Sequence, residues 1–130
     1  MVTRVLVTSA EGGSGKSTVA VGLLEALKGS TASVGIFRPV TRGPDDFVLE
    51  MLLAHSGSPV PAEDCIGVDY ATANSDPEAA LGRILERYDR MEPGHDAVLI
   101  VGSDYTDVGT PTELAANARI AANLAASVVL

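Results

Sequence analysis

The run Ser9-Ala10-Glu11-Gly12-Gly13-Ser14-Gly15-Lys16-Ser17-Thr18 constrains this chain more than any other stretch. It follows an apolar segment, Val5-Leu6-Val7, and precedes an apolar-periodic one from Val19 to Leu27. A strand, a glycine-rich turn and a helix in that order make a cradle for phosphate. Glycine tolerates positive φ and carries no Cβ, so the backbone curls tightly and aims its N–H groups inward. A helix that starts near Lys16 adds the positive end of its dipole. In this spacing the amides of Gly12, Gly13, Ser14 and Gly15 surround an anion, and Lys16 reaches its terminal phosphates. The Ser17 hydroxyl takes Mg²⁺, and Thr18 faces solvent or the cofactor rim. The expected ligand is ATP or a related nucleotide with Mg²⁺.

Two positions depart from the usual pattern. Ala10 stands where a glycine is customary, five residues before Gly15, and its methyl keeps that turn residue at negative φ. Glu11 stands where partition-type ATPases carry a lysine that reaches a partner's nucleotide across a dimer. Unit charges 4 Å apart interact by ~1 kcal/mol in water and ~4 kcal/mol near a protein surface. A carboxylate there repels phosphate, which argues against a nucleotide-sandwich dimer and leaves nucleotide binding itself open.

At 130 residues, 46% hydrophobic and 20% charged, the chain has the length and composition of one globular domain. A formal net charge of −8 makes nucleic acid and anionic membrane surfaces poor partners. The lone Cys65 has no partner for an intrachain disulfide and no metal-ligand pattern around it, so it reads as a small buried thiol. No apolar run reaches membrane-spanning length and no signal peptide precedes the first strand, so a cytoplasmic location is expected.

The pattern along the chain alternates strand and helix. Strands are expected at Arg4–Thr8, at Ser33–Phe37 where Pro39 stops the run, at Ala97–Val101 and at Val128–Leu130, with a further short strand signal at Cys65–Val68. Helices are expected over Lys16–Lys28 with Gly29 ending it, over Asp46–His55 with Gly57 ending it, from Pro77 to Arg90, and from Thr110 to Ala125. The third of these is the best marked: Asp76 caps it, Pro77 takes the first helical position and Glu78 suits the dipole. Thr110-Pro111-Thr112-Glu113 is a capping box, and the stretch around Asn74 reads as loop. Near-continuous apolar strands belong to parallel sheets covered on both faces. The expected fold is therefore α/β, a three-layer P-loop NTPase-like domain over residues 1–130 with right-handed crossovers. Because the chain ends within an apolar strand, it is expected to be the N-terminal piece of a longer protein, a short complete polypeptide being the alternative.

The first half resembles the dethiobiotin-synthetase-like branch of P-loop NTPases, through the cradle, Ile36-Phe37-Arg38-Pro39-Val40 and the following Asp45-Asp46. Arg38 takes the place of that branch's catalytic lysine, and Gly102 that of a Mg²⁺-holding glutamate. Nearly the whole chain resembles the N-terminal domain of long-form phosphate acetyltransferases. The likeness rests on Phe37-Arg38-Pro39-Val40-Thr41-Arg42, on Gly67-Val68-Asp69-Tyr70, and on Val101-Gly102-Ser103-Asp104-Tyr105-Thr106-Asp107-Val108. The helical stretch Asn117 to Leu124 adds to it. The resemblance implies a regulatory or assembly module of an oligomeric enzyme that exchanges acetyl between coenzyme A and phosphate. Its partners would be a middle and a catalytic domain further along the same chain and other copies of itself. The acetyl-transferring domain is not among these 130 residues. An ATP-dependent carboxylate-amine ligase and a vestigial cradle kept as a scaffold are the alternatives.

Among single residues, Arg38 reads as a fixed, always protonated anion clamp. Arg38 and Arg42 both remain open to a surface role. Asp46, with Asp45, is a helix cap or a metal ligand. Asp104, at the carboxyl end of a central strand, is a Mg²⁺-shell carboxylate or a turn residue. His55, His95 and the tyrosines Tyr70, Tyr88 and Tyr105 read as structural, the tyrosines with wet hydroxyls.

Overall fold

The computed structural model describes residues 2–7, 16–41, 47–57, 60–102 and 118–129, without the side chains of residues 16–18 and 74. Its organising element is the run Ala97–Val101, buried at all five positions. A strand buried this completely needs a neighbour along each edge and a layer over each face. Residues Thr3–Val7 (β1) and Val34–Thr41 (β2) supply the edges, both parallel to Ala97–Val101 (β4). Ile66–Asp69 (β3) pairs with β2 and Ser127–Val129 (β5) with β1, giving a parallel sheet in the order β3-β2-β4-β1-β5.

The helices are Lys16–Ser30 (α1), Phe47–Ser56 (α2), Tyr70–Ser75 (α3) and Pro77–Met91 (α4), with a 3₁₀ turn at Ala62–Cys65 and a final helical stretch at 118–123. In α4 the buried residues Ala80, Ile84, Tyr88 and Met91 form one stripe of helical period. Tyr88 meets Phe37 of β2 edge to face, ring centroids 5.3 Å apart and planes at 81°. With Phe37 turned toward α4, alternation along the strand turns Ile36 and Arg38 to the opposite face. That face is the side where α1 and α2 pack on each other and on the sheet. An ion pair at 2.6 Å between Glu78 of α4 and Arg119 brings the final helical stretch beside α4. The fold is therefore the expected α/β arrangement with helices on both faces.

Several boundaries differ from those expected. β2 does not stop at Pro39 but continues to Thr41. Its pairing with β4 ends at Phe37, while pairing with β3 runs on through Arg38, Val40 and Thr41 and skips only the rung between Pro39 and Gly67. A proline costs a strand one donor, and here the cost is one rung beyond the end of the β4 ladder. The residues around Asn74 are helical, not loop: Asp69 accepts from the Thr72 amide at 2.8 Å and starts α3. Gly29 lies inside α1, and β3 and β5 begin one residue from where the apolar pattern alone puts them. Helix α4 and strand β4 match closely, with Asp76 capping the Ala79 amide.

At the amino-terminal edge of the sheet, Arg4 grips Glu92 with Nε at 2.8 Å and Nη2 at 2.9 Å. Nε also donates to the Tyr88 hydroxyl at 3.2 Å, so that hydroxyl is held by the protein rather than wet. The Arg4 hydrogen bond holds the Glu92 carboxyl below the usual range, while burial pushes the Tyr88 phenol well up. A carboxyl that binds its proton less readily when folded contributes fully above the unfolded glutamate value near pH ~4.3. The contribution is lost as pH falls through the lower folded value. Glu92→Gln should cost about 1–2 kcal/mol at pH 7, and its difference from the parent should shrink below pH ~4, as read by urea unfolding.

Gly67 is required by the skipped rung. A Cβ built there would stand 2.3 Å from the carbonyl oxygen of Pro39, which is backbone and cannot swing away. Gly67→Ala should destabilise the fold by about 1–3 kcal/mol in the same measurement, and a wild-type midpoint would refute this account of the β2–β3 pairing.

Candidate functional site

The chain leaves β1 through α1 toward β2 on one side, and leaves β4 toward β5 on the other. The carboxyl ends of β1 and β4 thus flank a topological switch point, where open α/β sheets hold their ligands. β1 ends at Val7 and α1 starts at Lys16, so in sequence the glycine-rich run belongs to the connection that leaves this point. Gly12, Gly13, Ser14 and Gly15 lie outside the described residues, as do Asp46 and Asp104. Lys16, Ser17 and Thr18 form the first turn of α1, their side chains again outside the description.

What is described suits an anion. The first turn of the 15-residue α1 carries no acidic side chain, so nothing on the helix itself neutralises its positive end. Its first residues are a lysine and a serine, the donor set that a magnesium nucleotide needs at a helix start. Among the described residues no three His, Cys, Asp or Glu side chains are grouped to hold a metal. The candidate ligands Ser17, Asp46 and Asp104 fall outside that description.

Arg38 is the one expected site residue whose side chain is described. It is buried, 5% exposed, and its Nη1 donates to the carbonyl of Gly102 at 2.8 Å and lies 3.5 Å from that of Val101. The Gly102 amide in turn donates to the Val7 carbonyl at 2.8 Å. One residue at the end of β4 therefore links a cation on β2 to the last residue of β1 before the cradle. Gly102 stood out in the sequence only as a departure from a family pattern. The fact that an apolar strand ends in glycine beside the switch point was the available signal.

Two open clefts lie away from this point. One, of about 510 Å³, is lined by Val60, Asp64, Arg87 and Met91, and there Arg87 already donates to the carbonyls of Ile66 and Glu63 at 2.5 and 2.7 Å. The other, of about 490 Å³, follows the edge of β3. Neither includes Lys16 or Arg38 among its lining residues.

A protein-family model described as "AAA domain" matches residues 3–130. The chain belongs to this AAA domain family. The matched residues take in the glycine-lysine-serine run between β1 and α1. A protein named phosphate acetyltransferase from Nitratidesulfovibrio vulgaris (strain Hildenborough) is 30% identical over 139 aligned positions. The alignment takes in 100% of this chain and 20% of that protein, in its N-terminal part. The chain therefore spans about a fifth of the length of this relative. Among the described residues of this AAA domain, no helix is long and apolar enough to cross a membrane.

Cys65 is not part of the site. Burial pushes its thiol up to about 11, with the neighbouring Asp64 charge adding to the effect. At pH 8 roughly one thiol in a thousand is then ionised, against roughly one in four for an ordinary cysteine. Iodoacetamide should label native Cys65 about a hundredfold more slowly than the urea-unfolded chain, and equal rates would refute the buried assignment.

Proposed function

We propose that this AAA domain is the N-terminal nucleotide- or phosphate-binding regulatory or assembly domain of a phosphate acetyltransferase, an enzyme exchanging acetyl between coenzyme A and phosphate. The observation that supports the reading is that α1, on the connection leaving β1 at the switch point, begins with Lys16-Ser17 and carries no acidic residue in its first turn. The similarity to part of a protein of that name supports the choice of parent enzyme. In this reading the amides of Gly12–Gly15 hold the phosphates and the Lys16 ammonium neutralises the outermost one. The hydroxyl of Ser17 and the carboxylates of Asp46 and Asp104 hold Mg²⁺, which screens the phosphate charge when bound. The domain acts on distant acetyl transfer only if its ligand has different affinities for the enzyme's states. Downstream domains and other copies of the chain are its partners, and the cytoplasm its location.

The carboxylate-amine ligase reading has less support. The position of the catalytic lysine is Arg38, whose guanidinium is buried against the end of β4. Acetyl transfer and MgATP binding in the complete enzyme and its Lys16→Ala variant test the reading. We expect calorimetric MgATP binding in the parent, at least tenfold weaker binding in the variant, and an ATP effect on acetyl transfer that the variant loses. A folded parent that binds no nucleotide would leave the cradle as a scaffold.

A further inference from the structure

We infer that Arg38 is a positioning residue: it fixes the carboxyl end of β4, and through it the end of β1, rather than gripping the bound anion. The inference deepens the nucleotide reading above, but the contacts it rests on stand without that reading.

A buried guanidinium is tolerated only where its N–H groups meet acceptors. Arg38 meets the Gly102 carbonyl at 2.8 Å, a charge-assisted hydrogen bond that is stronger than one between neutral groups. Alternation places it on the α1 and α2 side of the sheet, opposite Phe37 and Tyr88. Its second, longer approach is to Val101, whose carbonyl belongs to the same peptide unit as the Gly102 amide. That amide donates to Val7 at 2.8 Å, the last described residue before the cradle. Gly102 brings no side chain to fix its own peptide planes, and the bonds from Arg38 and to Val7 help to set them. The three strand ends around the switch point are thus joined by β2→β4→β1 contacts that begin at one side chain. Lysine has a single ammonium on a flexible stem, whereas the planar guanidinium of arginine holds its Nη1 in a fixed direction toward the Gly102 carbonyl. An arginine spent in this way shapes the floor beneath the cradle and leaves phosphate contact to Lys16 and the loop amides.

The test compares the complete protein with its Arg38→Met and Arg38→Lys variants. Hydrogen-exchange mass spectrometry should show the peptide containing Gly102 exchanging about tenfold faster in Arg38→Met, while a peptide from the middle of α4 is unchanged. Arg38→Lys, which keeps one donor, should fall between the two. MgATP and MgADP should both bind about tenfold more weakly to Arg38→Met, with their affinity ratio held within about twofold of the parent. Unchanged exchange at Gly102 would overturn the inference. So would a loss confined to MgATP, because a residue touching the outermost phosphate must discriminate between the two nucleotides. If the parent binds neither nucleotide, the nucleotide reading fails and the exchange result still decides the role of Arg38. If Arg38→Met does not fold, the same two readouts on Arg38→Lys decide it.

Discussion

Full burial of Ala97–Val101 is the constraint on which the rest of this domain depends. A strand with no solvent on either face or edge must be paired twice and covered twice, and its partners here come from β1 and β2. Parallel pairing rules out hairpins, so every return of the chain needs a crossover, and helices such as α1, α2 and α4 supply it. The switch point follows from the same constraint. Once β1 and β4 are neighbours whose onward connections diverge, their carboxyl ends flank a switch point, and the glycine-rich run follows β1 in the sequence.

Much of this was legible because the deciding residues act locally. Asp76-Pro77-Glu78 specifies a helix start through a cap, a fixed φ and a dipole contact within one turn, and α4 begins there. Ala97–Val101 announces a covered parallel strand by composition alone. Pro39 misled for the opposite reason: a missing donor matters only if a neighbouring strand needs it, and the ladder to β4 has already ended. The helical stretch at Asn74 depends on the Asp69 side chain reaching the Thr72 amide, a cap hidden in a segment otherwise read as strand followed by loop. The cradle could be read from its spacing. The contacts of Arg38 could not, since the acceptor is a carbonyl 64 positions further along the chain.

The two ends of the sheet are held differently. At the amino edge a bidentate arginine–carboxylate pair joins β1 to the residue just after α4, with Tyr88 beneath it. Its charges balance, and its work is mechanical. At the carboxyl edge Arg38 donates to the carbonyl of Gly102, so a buried guanidinium on β2 is tied to the end of β4.

The pairing of β1 also governs when the domain can become complete. Val7 finds Val101 on one side and Val129 on the other, both far along the sequence from β1. During synthesis β1 must therefore wait, unpaired on both edges, for strands made much later. Such long loops to close make folding slow and leave an apolar strand open to wrong partners meanwhile. β1, which precedes the glycine-rich run, is therefore among the last strands of the domain to gain its partners.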